Sequence, residues 1–594
     1  MMFMPQSVKP RWEVLCLNKQ KTLKRLLSYL AESKFLLIIS LVIVIVANTL
    51  ALYGPKLIGL AIDAIGLTSQ VDFDKVIYYC VIMVLFYVIS GILTYILQII
   101  LVRVSNRITY RLRKELFEHL EDLPISFFDK NQTGDIISRI SYDIDTIYTS
   151  LSSDVLQLAV GVITIIGSMI MMLSIAPILV TVVVATIPII FLIARYRMKK
   201  VKPLFLKRSR KLGELNGFTE EMLSGNKTIK AYGQEDTIIG KYEIKNLDSS
   251  EAYYTADYEG SIMGPSVNGV NNLSLSLICM FGTLLFLQGK ISIGNISSFV
   301  MYSRKFAGPI NETANIITEL QTAVSAAERV FKLLDEPVET KDVADALILN
   351  NVKGKVDLDH VSFGYEKAKE IIHDLNLHIQ PGKLTAIVGP TGAGKTTIIN
   401  LLMRFYDVDQ GIISIDDIPI KKMTRSSLRE AFTMVLQDSW LFEGTIAENV
   451  AYANESATQD EIIKVCKKAH IHDYIMSLPQ NYETVLTDNA VNISKGQKQL
   501  LTIARAMLSK AKMLILDEAT SNVDSKTEMA IQKAMIELTK GRTCFVIAHR
   551  LSTIKNADNI LVLNMGHVIE TGNHEELIKN NGFYAHLFNS QFEN

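Results

Sequence analysis

Leu384-Thr385-Ala386-Ile387-Val388-Gly389-Pro390-Thr391-Gly392-Ala393-Gly394-Lys395-Thr396-Thr397 is an apolar run that breaks into a glycine-punctuated loop. The first five residues read as a short buried strand, and 395–405 as a helix. Between them the chain matches GxxxxGK[ST]. Gly389, Gly392 and Gly394 free the backbone to wrap phosphates with its N–H groups, Pro390, Thr391 and Ala393 completing the turn. The helix start adds its dipole. Lys395 is placed for β- and γ-phosphates, Thr396 for Mg²⁺, and Thr397 follows it. A nucleoside triphosphate, ATP, and Mg²⁺ are the expected ligands of 389–397.

Around this strand, the region after about residue 340 alternates β-like and helical runs, the pattern of an α/β domain. Met513-Leu514-Ile515-Leu516-Asp517-Glu518 is a second apolar strand ending in two carboxylates. Asp517 suits Mg²⁺ and Glu518 suits polarising an attacking water. A third strand, 544–548, ends at His549, placed for a γ-phosphate contact.

The front half has a different solvent. Stretches 35–55, 76–102, 155–194 and 260–289 contain no Asp, Glu, Lys or Arg. Forty such residues at 155–194 accommodate two spans, with Ser174-Ile175-Ala176-Pro177 turning between them. A last apolar stretch, 291–317, is interrupted by Arg304, Lys305 and Glu312. Six spans result, near 35–55, 76–102, 155–173, 178–194, 268–288 and 293–317. Lys and Arg crowd the 103–150 and 195–259 connections, which puts both, and both termini, on the cytoplasmic side. Leu23, Leu26, Leu27 and Leu30 lie at helical spacing beside Lys21, Lys24 and Arg25, the pattern of an interfacial helix or of an extension of the first span. Residues 1–17 carry Pro5, Arg11 and Glu13 and lack the apolar core of a cleavable leader. Arg304 and Lys305 at membrane depth read as lining a substrate cavity, or as snorkelling or pairing with Glu312.

Balanced charge, 61 Lys+Arg against 61 Asp+Glu, argues against a nucleic-acid partner. Cys16, Cys80, Cys279, Cys466 and Cys544 are too few and scattered for a disulfide framework or a zinc site, and read as free thiols.

These motifs, in this order, resemble the ABC transporters, and the chain from about residue 20 onward is similar to an exporter-type half-transporter. The fold implied is a six-helix all-α transmembrane domain followed by an α/β P-loop domain. Its divisions are 1–34 tail and amphipathic elbow, 35–335 transmembrane domain, 336–352 linker and 353–594 ATP-binding domain. By resemblance Tyr365 stacks on adenine, Gln437 reaches Mg²⁺ and the attacking water, Asp524 belongs to the D-loop, and His549 is the switch histidine. Phe128-Asp129, Thr133-Gly134-Asp135 and Ala231-Tyr232-Gly233 match the family's inner loops, with coupling helices expected near 129–134 and 231–234.

One motif departs. Where the family has LSGGQ, this chain has Ile493-Ser494-Lys495-Gly496-Gln497. In the family dimer this signature closes on ATP held by the other chain. Lysine for glycine there adds bulk and charge and is expected to restrict the backbone. With Glu518, His549 and the phosphate loop intact, the pattern resembles the competent half of a heterodimeric exporter, with a second half-transporter chain as partner. The alternative is a homodimer that tolerates the substitution. The implied activity is ATP-driven export of a small amphipathic drug, lipid or peptide by alternating access, in a bilayer expected to be a bacterial plasma membrane. Import on the exporter fold, an ATP-gated conductance and a soluble ABC-type ATPase are the alternatives.

Overall fold

The computed structural model describes residues 11–66, 71–366, 369–436, 439–487, 493–517, 524–547 and 554–592; for 11–20, 311, 313–315 and 591–592 it describes backbone only. The chain divides into two units. One comprises Met1–Glu121 with Thr133–Glu336, the other Asp122–Gln132 with Pro337–Asn594. Segment 122–132, sequentially part of the first inner loop, thus divides with the C-terminal unit.

The first unit is all helix. Helical stretches Lys34–Ile65, Phe73–Glu121, Thr133–Ile175, Pro177–Ser224 and Glu235–Leu287 are each long and apolar enough to cross a membrane. The sixth expected span falls on Ile293–Leu334. Phe35, Ile77, Ile92 and Leu287 are more than half exposed along these helices, a surface that suits lipid rather than water. The turn expected at 174–177 is there: Ala176 leaves helical geometry (φ −154°, ψ 88°) and Pro177 opens the next helix. Two helices, Phe73–Glu121 and Pro177–Ser224, run far beyond any bilayer, at 49 and 48 residues. Short π-helical segments, Arg139–Asp143 and Ser150–Asp154, precede the third span, and Arg329 closes on buried Asp143 with two hydrogen bonds of 2.8 and 2.5 Å.

Helix Arg11–Ala31 is separated from the first span by a turn at Glu32 and Ser33, so it is a helix of its own and not a continuation of that span. Its leucines divide between two environments. Leu26 is buried, with Tyr29 stacked on Phe331 and Arg25 over the same ring, while Leu23 and Leu27 stay exposed.

The second unit is built on a six-stranded sheet in the order His567–Gly572, Asn559–Asn564, Leu384–Val388, Thr543–Ile547, Met513–Asp517 and Phe432–Val435. All neighbours are parallel except the first pair. A second, antiparallel sheet holds Ile372–Ile379, Val356–Phe363, Gln410–Ile415 and Ile418–Pro419. One apolar core joins this sheet, Ile387 and helix Lys395–Leu402; another gathers under helix Lys495–Leu508. Cys466 and Cys544 sit in the latter, where burial pushes both thiols up to about 12 and keeps them protonated. Cys80 and Cys279 are likewise free.

Within the first unit, helices Lys34–Ile65 and Ile293–Leu334 cross at Gly59 and Gly294. A Cβ on Gly59 would lie 2.5 Å from the Gly294 carbonyl oxygen, and one on Gly294 2.0 Å from that of Gly59. Small residues let apolar helices approach this closely. Gly59→Val is therefore expected to cost about 1–3 kcal/mol through overpacking. It should lower the melting temperature of detergent-solubilised protein, while Gly91→Ala, which meets nothing within 4 Å, should not.

Candidate functional site

The phosphate loop starts where the buried strand Leu384–Val388 ends. Gly392 and Gly394 adopt left-handed backbone (φ 82° and 99°), which a side chain would strain. At Gly394 a Cβ would also lie 2.6 Å from Ile372 Cδ1. Ala393 N donates to Pro390 O at 3.2 Å and Gly566 N to Ala393 O at 3.2 Å, so the turn is tied down from both sides. Helix Lys395–Leu402 has Gly394 at its N-cap and no side-chain cap, leaving its first N–H groups for an anion. Lys395 Nζ donates to Gly389 O (2.8 Å) and Pro390 O (3.0 Å). Loss of hydration pushes this ammonium below its ordinary range, partly opposed by Asp517. A half-buried cation over an uncapped helix start has the donor chemistry that a triphosphate needs.

Thr396 is exposed beside the loop and Thr397 is buried, its hydroxyl accepting from Tyr365 Oη at 3.4 Å. Asn400 Nδ2 also donates to Tyr365 Oη, at 3.1 Å. Tyr365 itself is at the surface, with its ring edge-on to Phe363 and Tyr406.

Strand register brings the remaining chemistry to the same edge. Ile547 pairs with both Asp517 and Ile387, so three carboxyl ends line up beside the loop, where ligands bind in open α/β sheets. Asp517 closes its strand there. Glu518, His549 and Gln437 follow their strands by one or two residues and lie outside the described residues. Thr396 and Asp517 offer two hard oxygen ligands that fit Mg²⁺. Among the described residues no group of three or more His, Cys, Asp and Glu gathers to hold a metal, so phosphate and water oxygens would complete such a site.

The variant signature opens helix Lys495–Leu508. Ser494 is its N-cap: Gln497 N donates to Ser494 Oγ (3.3 Å) and Ser494 N to Gln497 Oε1 (2.9 Å), a reciprocal cap. Lys495 is exposed in the first turn, is absent from the positive-φ positions, and precedes a buried Gly496. Lys495 is therefore not held in a conformation that only glycine adopts readily. A lysine at the positive end of a helix dipole is not a favoured placement, so the substitution adds bulk and an unfavourably placed charge. Asp524 has a local task that its D-loop reading did not include. Its Oδ1 caps helix Ser525–Thr539 by accepting from Lys526 N (3.1 Å) and Thr527 N (3.0 Å), which holds the carboxyl below its usual range.

Sequence reading missed Arg505. From the signature helix, its Nε donates to Asn449 O (2.8 Å), Nη1 to Trp440 O (3.0 Å) and Nη2 to Asn449 Oδ1 (3.0 Å). Asn449 in turn bonds Phe442 and Thr445. One arginine thus staples the post-glutamine segment to the signature helix. The available signal was a charge among Leu500, Leu501, Ile503, Ala504 and Ala506, all buried.

In the membrane unit, Arg304 is exposed, whereas Lys305 Nζ donates to Ala51 O at 2.9 Å. Pro55 lacks the N–H that would have bonded that carbonyl four residues back. Tyr302 Oη donates to Leu52 O (2.5 Å) and Ser298 Oγ to Pro55 O (2.8 Å) beside it. Lys305 therefore has a structural partner other than Glu312. The short helices of the inner loops are Ile125–Lys130 and Asn226–Ala231, each a few residues N-terminal of where the sequence put them.

Two family models match the chain: "ABC transporter transmembrane region" over residues 37–310 and "ABC transporter" over 372–521. An uncharacterized ABC transporter ATP-binding protein of Bacillus subtilis, YfiC, is 42% identical over 96% of this chain and 94% of its own length. A fatty acid ABC transporter ATP-binding/permease protein of Mycobacterium bovis is 41% identical over 80% of this chain and 75% of its own. A Staphylococcus aureus protein named for multidrug export is 33% identical over 96% of this chain and all of its own. Among solved structures, a bacterial Atm1-family ABC exporter with ATP bound superposes with a TM-score of 0.76 at 28% identity, over 94% of this chain and 98% of that one.

Arg505→Ala removes hydrogen bonds from a charged donor worth about 1.5–3 kcal/mol each. Hydrogen exchange across 440–452 should speed up in that variant while ATP still binds; unchanged exchange would remove the staple.

Proposed function

This chain belongs to the ABC transporter family, with its transmembrane and ATP-binding domains fused in one polypeptide, and from that premise we propose that it exports a small amphipathic molecule by alternating access. It couples ATP hydrolysis to transport, and it is a multi-span membrane protein of the exporter type. The observation that carries the reading is one chain joining helices of membrane-spanning length to a phosphate loop on the carboxyl edge of a parallel sheet. Relatives named for fatty acid and multidrug transport support an amphipathic cargo. Both termini lie in the cytoplasm, on the Lys/Arg asymmetry of the loops.

In the proposed site, the N–H groups of 389–397 and the Lys395 ammonium hold the phosphates, and Tyr365 stacks on the base. Mg²⁺, held by Thr396, Asp517 and Gln437, would supply charge neutralisation for the departing phosphate. Glu518 orients water against the γ-phosphate and His549 contacts that phosphate. Binding favours the closed pair of ATP-binding domains, and that preference shifts the membrane helices. Ser494, Lys495, Gly496 and Gln497 face the ATP held by the second chain.

The bulk and charge that Lys495 brings to the signature support the heterodimer over a homodimer. The site that it closes takes an ammonium where glycine would let backbone approach, and hydrolyses slowly. The other site, with Glu518 on this chain and a glycine signature on the partner, is the fast one. Arg304, exposed on the last spanning helix, and Lys305 are the cavity residues of the proposal, with Lys305 also capping Ala51.

The test is ATPase activity of this chain alone and co-expressed with a second half-transporter whose signature carries the glycine. Activity should need the pair, and Glu518→Gln should lower it at least about a hundredfold, the scale of losing a catalytic base. Fast hydrolysis by the lone chain, abolished by Glu518→Gln, would overturn the heterodimer. Transport polarity in inside-out vesicles separates export from import.

A further inference from the structure

The helix Ile125–Lys130 is held in the C-terminal unit at defined points. Phe127 is buried, with Phe128 edge-on to it, Glu339 N donates to Asp122 O at 2.8 Å, and Tyr406 Oη donates to Asp129 Oδ2 at 2.5 Å. Tyr406 follows the phosphate-loop helix closely. Its ring stands edge-on to Tyr365 (centroids 4.9 Å, 85°) and packs at 5.6 Å on Phe363. Burial and the Asp129 acceptor together push the phenol above its ordinary range, so it remains a donor.

The mount of Tyr406 is stiff. Two residues before it, Arg404 is buried in left-handed backbone (φ 51°). Its Nη1 donates to the carbonyls of Ile420 (3.0 Å) and Met423 (3.2 Å), and its Nε to Asp407 Oδ1 (3.0 Å). The chain on either side of Tyr406 is thereby fixed, and its freedom is confined to the ring, between Tyr365 and Asp129. An unbroken path results: Thr397 and Asn400 on the phosphate-loop helix, Tyr365, Tyr406, then Asp129 on the inner-loop helix.

We propose that Tyr406 is a positioning residue that reports base occupancy at Tyr365 to the helix Ile125–Lys130 through its bond to Asp129. A base on the Tyr365 ring fixes that ring's angle, which leaves one edge-on position for Tyr406 and hence one for its hydroxyl. Free of base, the two rings share more rotational freedom and the phenol holds Asp129 less often. Because coupling is reciprocal, a firm Tyr406–Asp129 bond also tightens nucleotide binding. This route leaves from the base pocket and is separate from the glutamine segment that follows strand Phe432–Val435. It rests on the proposed ATP reading of Tyr365.

Hydrogen exchange of the full-length protein in detergent, with and without a slowly hydrolysed ATP analogue, tests it, with analogue binding measured in the same samples. In the unmodified protein the analogue should slow exchange across 122–132 about fivefold or more, the lower end of typical coupling. Tyr406→Phe keeps the ring and loses the bond. At saturating analogue it should lose this protection, while protection of 389–397 remains. Asp129→Ala, at an exposed position, should behave the same way and carries the test if Tyr406→Phe fails to fold. The double variant should be no worse than either single. A purely structural role would instead raise exchange in 122–132 equally with and without analogue. That result, a wild-type response from Tyr406→Phe, or additive losses in the double variant would overturn the proposal. An unmodified protein that binds no analogue would overturn both this inference and the ATP reading.

Discussion

Parallel pairing of Leu384–Val388 with strands on both sides is the constraint on which the ATP-binding unit depends. Ile387 faces the core shared with the antiparallel sheet, and Ala386 and Val388 face a second core around Ile560, Val562, Tyr584 and Phe588. A strand covered on both faces can expose nothing but its end. The end is where the loop turns, so the glycines do their work at the one place where backbone N–H groups are free of the sheet. The same pairing aligns Ile387, Ile547 and Asp517. The nucleotide chemistry is therefore a property of register before it is a property of any side chain.

The membrane unit obeys a different constraint. Without water, each backbone carbonyl needs a partner inside the protein. Pro55 breaks that rule at Ala51 O, which Lys305 of the last helix answers, and Tyr302 and Ser298 of the same helix add donors to Leu52 O and Pro55 O beside it. At the far end of the same helix pair, Asp63 accepts from Ser292 Oγ (2.6 Å) and Gly294 N (2.7 Å) at the start of helix Ile293–Leu334. Between these two polar joints the glycine crossing brings the backbones together. The first and last spans are consequently linked by directional bonds as well as by apolar packing, which carries no orientation of its own.

Within the ATP-binding unit, two polar fixtures organise what surrounds the phosphate loop. Arg505 ties the signature helix to the post-glutamine segment, so a displacement of one must carry the other. Arg404 holds the chain around Tyr406. Each arginine donates to two backbone carbonyls and to one side-chain oxygen. A planar fork with five N–H groups can satisfy several carbonyls at once where lysine could not.

The sequence by itself determined the family, the α/β order, the phosphate loop and the location of the spans. Each of these is written in local spacing or in uninterrupted apolar length, which no distant residue can alter. It also exposed the lysine at 495, because one residue type in a fixed motif is legible without coordinates. Only the tertiary structure decided what that lysine changes, since backbone geometry at a helix start depends on the cap made by Ser494 and Gln497. Only it gave Lys305 a partner 254 residues away, Arg505 one 56 away and Tyr406 one 277 away. Hydrogen-bond partners separated by that much chain leave no periodicity to read. They come together because apolar cores fix where the elements pack, and the polar groups at their edges then take the nearest acceptor.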